Sequence, residues 1–561
     1  MKLRAFQRAA SDAICNEWNE GTQSTMIVVP TGGGKTVIIA DVIKRHTPQR
    51  ALVVAHREEL IWQARERIET YSGIPCEIEM ADLVASANLF SKAQVVISTI
   101  QTQNAGNGLM RRMSRFKPSD FKLLIIDEAH HATADTYRNL INYYQQNPDI
   151  KILGVTATPD RADEEALGQV FTSVAFDYEI LDAIHDGWLV PIDQQMVSIA
   201  GLDFSAIRTT AGDLNGSDLN AVMEAERNLL GVAGATMEII KDRRTIVFTA
   251  SVKQAESLCD IFNRHKPGIS GWVCGKTPKD DRRSLLSKFS TGAIQVIVNC
   301  GVLTEGFDNP GVEIIVMARP TKSRALYAQM AGRSMRPLPG IVDPFETPEE
   351  RKVAIEASTK PSCLIVDFVG NSGRHKLMTS ADILGGKVSD SAIERAIAVA
   401  KKLGKPVRMS QVLDEQEEQL KREEEMRKAE EARKAESLRR ASLKASVKFT
   451  TRKVNPFDVM DITPCRARGW DNGKALSEKQ RALLLRQGID PSDIPYPQAR
   501  QLITEIFNRW QTKQCTFKQA KLLKRYGYNA KITMSEATKI IDRIAANGWK
   551  RPDPVAAVTT K

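Results

Sequence analysis

Residues 30–36 read Pro30-Thr31-Gly32-Gly33-Gly34-Lys35-Thr36. They follow the apolar run 26–29 and precede 37–43, an apolar, helix-compatible run, so the order is strand, glycine loop, helix. Glycines let the backbone curl until its N–H groups and the helix N-terminus face the phosphates of a nucleotide, with Lys35 to neutralise charge and Thr36 to hold Mg²⁺. The stretch reads as a cradle for ATP or GTP. It departs from the general G-x-x-x-x-G-K-[ST] pattern, because Val29 stands where the first glycine belongs. A flexible glycine turn is the competing reading, and the Lys-Thr pair between two apolar runs argues against it.

The rest of the chain is long enough for about three or four domains at 561 residues. Its apolar fraction of 42% is that of a globular protein. The eight cysteines, at 15, 76, 259, 274, 300, 363, 465 and 515, form no C-x-x-C pair, which points away from zinc and from a disulfide framework. No run approaches the length of a membrane span, and no apolar segment follows Lys2, Arg4 and Arg8 as in a signal peptide. The expectation is a cytoplasmic protein, associated with the nucleoid of a bacterial or phage-infected cell, with no membrane partner. Charge is unevenly placed. Residues 446–561 hold 22 Lys and Arg against 10 Asp and Glu, a net of +12, so residues 1–445 carry 57 against 58, a net of −1. A basic tail on a near-neutral body is the footprint of a nucleic-acid partner; a solubilising tail is the alternative.

Other stretches repeat the pattern of a strand delivering polar residues to a sheet mouth, where open parallel sheets bind ligands. The run 51–55 ends in His56 and Arg57, and 95–98 ends in Ser98, Thr99 and Gln101; these are candidate phosphate contacts, against ordinary loop polarity. Leu123-Leu-Ile-Ile runs into Asp127-Glu128-Ala129-His130. Asp127 is placed to hold Mg²⁺ and Glu128 to polarise the attacking water. A helix cap would not need four β-formers before it. The run 151–155 delivers Thr156, Ala157, Thr158 and Pro159. The first half therefore reads as β-α repeats around a parallel sheet ending near 180. Residues 201–228 read as a polar, partly helical connection. Strands recur at 245–248, 295–299, 313–317 and 363–366, giving a second α/β domain without a phosphate loop of its own. Such a domain is suited to complete the first one's site, and Arg333 and Arg336, on one side of a helical turn, can reach a γ-phosphate. A surface arginine pair is the alternative. Gln7, on a helical N-terminal pattern, can pair with an adenine edge.

In this order LRAFQ, PTGGGKT, AHREEL, STIQT, DEAH, TAT, IVFTA, VLTEGFDNP and QMAGRSMR resemble the motifs of superfamily 2 DEAD/DEAH-box helicases, over about residues 1–370. The likeness is to the bacterial RadD family and its phage relatives, with XPB-like helicases further off. The resemblance implies two tandem RecA-like domains with parallel sheets, at 1–182 and 183–370, binding ATP and Mg²⁺ in the cleft between them. It implies that Phe6, Gln7 and the loop Pro30, Thr31, Gly32, Gly33, Gly34, Lys35 and Thr36 bind the nucleotide, with Thr36 and Asp127 on the metal. Lys35, Asp127, Glu128, Gln329, Arg333 and Arg336 would carry hydrolysis, and Thr156 and Thr158 would couple it to domain movement. His56, Arg57, Ser98, Thr99, Thr249 and Thr304 would line the nucleic-acid track. RadD proteins carry a zinc-ribbon-like region after the motor, and this chain has none.

Beyond the motor, 371–410 reads as a partly helical extension and 411–445 as a charged helical linker. In the latter, i,i+4 pairs such as Glu430/Lys434 stabilise a single solvated helix and the a/d positions are mostly Ala. After a basic linker at 446–475, residues 476–561 contain a repeat: Lys479-Gln480, Leu483-Leu484, Arg486 and Gly488 recur 39 residues on as Lys518-Gln519, Leu522-Leu523, Arg525 and Gly527. Each copy reads as helix, glycine turn, helix, making a small all-α module. Its cations, with Arg466, Arg468, Trp470, Trp510, Tyr526 and Trp549, suit phosphates and bases; docking to replication or repair proteins is the alternative. The function expected is an ATP-dependent DNA helicase or translocase in replication, recombination or repair, acting on single-stranded or branched DNA. An RNA helicase, or an ATP-gated binding protein that separates no strands, is the alternative.

Overall fold

The computed structural model describes residues 3–86, 93–106, 108–157, 164–210, 212–304, 306–372, 375–442, 455–466, 471 and 473–549. The chain forms two compact units, residues 1–427 and 428–561.

The first unit holds two seven-stranded sheets. In the first lobe, β1 (Ser24–Val28), β2 (Ala51–Ala55), β3 (Cys76–Glu79), β4 (Val95–Thr99), β5 (Leu123–Asp127), β6 (Lys151–Thr156) and β7 (Ser173–Asp177) run in the order β3-β4-β2-β5-β6-β1-β7. All neighbours are parallel, so every strand's C-terminal end opens on the same side. The central strands are apolar without alternation because helices cover both faces: every residue of β1, β2 and β4 is buried. Residues Leu123 to Ile126 are 0% exposed, and each such side chain stabilises the lobe by about 1.5–3 kcal/mol. The outermost strands β3 and β7 mix polar with apolar residues, and hydropathy does not announce them.

The second lobe is built from β8 (Ile192–Asp203), a detached hairpin β9 (Thr209–Thr210) and β10 (Asp213–Leu214), then β11 (Thr245–Thr249), β12 (Ser270–Cys274), β13 (Val296–Cys300), β14 (Ile314–Ala318), β15 (Cys363–Asn371) and β16 (Val407–Arg408). Its order is β12-β13-β11-β14-β15-β8-β16, parallel except for β16. β8 corrects the sequence reading, which places no strand at 192–200 and a polar, partly helical connection from 201. Its polar residues hide it. Gln194 is 0% exposed, and its Nε2 donates to the buried Asp367 carboxylate at 2.5 Å. The connection that remains contains the helix Gly216–Met223, capped by the Asn215 side chain.

The expected division at 182/183 falls inside the helix Ile180–His185, which joins the lobes. The extension after β15 carries the helices Ser380–Leu384 and Asp390–Leu403, then returns β16 to the second sheet. One helix, Met409–Ser442, covers most of the charged segment. Its start is docked, with Met409 and Leu413 at 0% exposure and the Glu423 carboxylate accepting from Nη1 and Nη2 of Arg395 at 2.9 Å each.

The second unit packs Pro456–Met460, Glu478–Gln487, Tyr496–Gln511, Phe517–Arg525 and Met534–Ala546 around Leu484, Leu502, Ile506 and Leu523. The repeat is two helical hairpins, with Gly488 (φ 82°) and Gly527 (φ 77°) in the left-handed turns. Ser477 and Thr516 open equivalent helices with capping boxes to Gln480 and Gln519. Part of the segment expected as a basic linker belongs to this core, since Phe457 and Met460 are buried in it. Arg468 and Trp470 lie outside the described residues.

Candidate nucleotide site

The glycine loop leaves β1 and enters the helix Lys35–Arg45. Gly32 (φ 85°) and Gly34 (φ 82°) take the left-handed backbone that favours glycine. A Cβ on Gly33 would lie 2.8 Å from Val29 Cγ1. The valine in place of the usual first glycine is thus accommodated by a glycine further along the loop. A Cβ on Gly34 would meet Gln7 Nε2 at 2.5 Å. Gln7 lies against the loop: its Nε2 donates to the Gly33 carbonyl at 2.9 Å, and its Oε1 accepts from the Arg4 N–H at 3.0 Å. Phe6 stacks on Tyr178 with centroids 4.5 Å apart.

At the end of β5, Lys35 Nζ meets Glu128 Oε1 at 2.6 Å, both side chains being nearly buried. Glu128 has φ 52°, a left-handed conformation costing a non-glycine residue about 1–2 kcal/mol. Its N–H donates to Asp127 Oδ1 at 3.0 Å. Burial pushes the Glu128 carboxyl toward protonation, but the Lys35 ammonium outweighs it and holds the acid below its ordinary range. His130 continues the chain of contacts, with Nδ1 3.4 Å from Glu128 Oε2 and 3.2 Å from Thr156 Oγ1. Burial lowers the His130 pKa to about 4, so the ring is neutral near pH 7. Thr158 lies outside the described residues.

The second lobe closes directly onto the loop. A Cβ on Gly332 would stand 2.7 Å from Thr31 Cβ, and one on Gly32 would stand 2.9 Å from Arg336 Cγ. Arg333 follows the helix Arg324–Ala331 and donates to the carbonyls of Thr304 (2.8 Å) and Phe307 (2.6 Å). Arg336 pairs with Asp308, which also lies 3.6 Å from Arg67 of the first lobe. A cavity of about 1080 Å³ opens among these groups, lined by Gln7, Lys35, Thr36, Asp127, Glu128, Arg333 and Arg336. Gln329 is buried in its helix and is not part of that lining.

The donor set fits Mg²⁺ held with a nucleotide. Among the described residues no three His, Cys, Asp or Glu side chains cluster into a cage, whereas one carboxylate, one hydroxyl and substrate phosphates are what Mg²⁺ takes. Asp127 and Thr36 supply the first two in the same cavity.

The residues of the expected nucleic-acid track fall in different settings. Ser98 is 0% exposed, donates to the Glu79 carbonyl at 2.7 Å and accepts from Gln103. Thr249 is 2% exposed and donates to the Asn299 carbonyl at 3.1 Å. Both hydroxyls are buried and hydrogen-bonded within their own lobes. Thr99 caps the short helix Ile100–Asn104. Arg57 donates across to the carbonyl of Val302 (3.4 Å) and to Thr304 Oγ1 (3.4 Å), so both residues sit in the contact between lobes. His56, half-buried, lies 5.2 Å from the His131 ring, itself 4.1 Å from His130.

The sequence reading gave no role to several groups around the cavity. Trp188 lies between two guanidiniums, Arg4 at 4.2 Å and Arg351 at 4.0 Å. Buried Lys360 donates to the carbonyls of Pro310 and Arg336, both at 2.7 Å, and so holds the backbone of one arginine. Burial lowers its pKa to about 8. No motif marks these residues; only their convergence in space does.

A phosphate loop in one parallel-sheet lobe, paired acids beside it and arginines from a second such lobe form an arrangement suited to holding a nucleotide between two domains. Comparisons with known proteins find a family match for two parts of the chain. Residues 1–161 match the family described as "Type III restriction enzyme, res subunit", and 229–337 match "Helicase conserved C-terminal domain". The two matches fall on the two parallel-sheet lobes, one on each. The chain is 29% identical to the putative ATP-dependent helicase IRC3 of Saccharomyces cerevisiae, over 74% of this chain and 58% of that protein. It is 28% identical to a 51.5 kDa protein of a Lactococcus phage over 55% and 62%, and 24% identical to the DNA 3'-5' translocase XPB2 of Sulfurisphaera tokodaii over 60% and 79%. It therefore spans about three fifths of the length of the yeast and phage relatives. A fragment of a putative HsdR subunit of a type I restriction enzyme from Vibrio vulnificus aligns with TM-score 0.48 and 20% identity over 66% of this chain and 64% of that one.

Proposed function

We propose that this chain is an ATP-driven DNA helicase or translocase of RadD-like type, working on single-stranded or branched DNA in replication, recombination or repair. The observation that carries the reading is the meeting of Arg333 and Arg336 with Lys35, Asp127 and Glu128 in one cavity, which a binding protein without turnover would not require. Lys35 Nζ and Glu128 Oε1 are paired in this structure. When phosphates draw Lys35 away, burial raises the basicity of Glu128, which then takes the proton of the attacking water. Thr36 and Asp127 would hold Mg²⁺, which would supply neutralising charge on the phosphates. Arg333 and Arg336 stabilise the charge that develops on the transferred group, with Gln329 on the same segment. Gln7 reads adenine by exchanging its bond to Gly33 for one to the base, while Phe6 backs it against Tyr178.

Coupling runs from Glu128 through His130 to Thr156, and on through His131 to His56. Arg57 and Thr304 release one another when the lobes part and can then grip a strand's phosphates. DNA is favoured over RNA because archaeal relatives carry names such as DNA 3'-5' translocase and putative DNA 3'-5' helicase. The setting proposed is the cytoplasm of a bacterial or phage-infected cell, at the nucleoid.

The test is steady-state ATP hydrolysis by the full chain, with Lys35→Ala as control, in the presence of no polymer, single-stranded DNA, duplex DNA or RNA. Stimulation by DNA alone supports the reading. Stimulation by RNA moves the substrate class, and Lys35-dependent hydrolysis that no polymer changes defeats the motor reading.

A further inference from the structure

The cations of the second unit divide into two kinds. Arg509, 2% exposed, is a structural hub: it donates to the carbonyls of Met460 (3.2 Å), Cys515 (3.3 Å) and Ala530 (3.4 Å) and pairs with Glu505. Lys524 is likewise spent on Asp461 and on the Asp458 carbonyl. The second kind is a stripe. On the helix Phe517–Arg525, Lys518, Lys521 and Arg525 follow one another at spacings of three and four, which puts them on one face, and all three are exposed. That helix contains no acid. Among the described residues no carboxylate pairs with any of the three. The repeat reproduces the pattern in Glu478–Gln487, where exposed Lys479 and Arg486 hold the places of Lys518 and Arg525 and Ala482 that of Lys521. The two copies adjoin: a Cβ on Gly488, at the end of the first helix, would lie 3.9 Å from Lys518 Cε.

Nearby in sequence, Phe507 and Trp510 stand out from the helix Tyr496–Gln511 at 48% and 41% exposure. Their rings meet edge to face at 5.2 Å. The other side of this helix is packed, through Ala499, Leu502, Ile503 and Ile506. Two large aromatic rings left in solvent, in the same unit as the unpaired cations, are costly for a surface whose only task is solubility.

We infer that the stripe Lys518–Lys521–Arg525, continued by Arg486, is a binding surface for the phosphates of a single nucleic-acid strand whose bases stack on Phe507 and Trp510. The stripe is about 10 Å long at 1.5 Å per residue, enough to follow a short stretch of backbone phosphates. The charge is complementary to a polyphosphate, and the contacts made by backbone charge and ring faces are indifferent to base sequence. The inference shares with the proposed function the premise that the chain handles nucleic acid, but it concerns a surface separate from the nucleotide cavity.

The test is nucleotide-free binding of the full chain to a fluorescent oligothymidylate across a salt series. K518E/K521E/R525E should weaken binding about tenfold or more and flatten the slope of log affinity against log salt by about 2, three contacts at ~0.7 each. F507A/W510A should weaken binding to the single strand while leaving duplex affinity in place. K401E/K402E, on the exposed end of Asp390–Leu403, serves as a charge control, and circular dichroism checks that each variant is folded. Unchanged affinity and slope in a folded triple variant overturn the inference and assign the stripe to an acidic protein partner instead. The two readings fail separately. If the triple variant loses affinity but no polymer stimulates wild-type hydrolysis, the surface stands and the motor reading falls; if stimulation is present and the triple variant binds like wild type, the reverse holds.

Discussion

Glu128 is held in a left-handed backbone with its carboxylate against Lys35, a strained and charged arrangement in the interior. Such an arrangement persists only where the surroundings over-determine it. Removing its basicity without changing its shape should therefore separate chemistry from binding. Glu128→Gln is expected to lower kcat for ATP hydrolysis by about 10² to 10⁴ while the KM for ATP changes little, as read by phosphate release under steady-state conditions. The neighbouring His130 makes a prediction about pH. Its folded pKa is about 4 against 6.5 for the free group, so the unfolded chain binds the extra proton between those values. Stability contributed by this neutral burial is complete above pH 6.5 and declines as pH falls toward 4, by of order 3 kcal/mol. Urea denaturation at pH 7.5 and pH 5 should show the loss, and His130→Asn should reduce it. Residue identity at a motif was a poor guide to orientation. Ser98 and Thr249 stand at strand ends, where ligands gather, but side chains alternate between faces and these two point into their sheets.

At the scale of elements, caps and glycine turns do more than charge pairs. The Ser477 and Thr516 boxes close equivalent helices of the repeat, and each satisfies backbone N–H groups that have no partner within the helix. Thr516→Ala should cost about 1 kcal/mol in the second unit. Lys434→Ala, which breaks the exposed pair with Glu430, should cost no more than about 0.5 kcal/mol. Hydrogen exchange in the helix Phe517–Arg525 and helicity of Met409–Ser442 are the respective measurements. The central strands, the phosphate loop, the long charged helix and the hairpin repeat were legible because each is set by a local rule: unbroken apolar runs, glycine before Lys-Thr, i,i+4 pairs, periodic Leu. β3, β7, β8 and β12 were not. They lie toward the sheet edges or carry buried polar groups whose partners, such as Asp367 for Gln194, arrive from far along the chain.

At the scale of the molecule, the first unit's two lobes meet at the phosphate loop, and the closeness of that meeting is itself testable. Arg336→Ala should lower kcat about 10³-fold or more, the usual worth of an arginine supplied to a γ-phosphate across a cleft, in single-turnover hydrolysis. Gly332→Ala should also lower kcat, through a different cause: its Cβ would lie 2.7 Å from that of Thr31, so the second lobe must draw back from the loop. Nucleotide affinity of Gly332→Ala, measured by equilibrium binding, should fall less than its turnover.

The sequence by itself determined that this chain has two parallel-sheet domains, one of them with a phosphate loop and paired acids, and that its tail is basic, helical and repeated. Those features follow from hydropathy period, glycine placement and charge, all of which are local. Only the tertiary structure decided which polar residues face the cavity and which are spent within the fold. It brought Arg336 over Gly32, set Lys360 beneath the Arg336 backbone, turned Arg57 toward Thr304, and buried Arg509 while leaving Lys518, Lys521 and Arg525 in solvent. Each of those outcomes depends on where a distant segment arrives, and no single stretch of sequence encodes a distance to another.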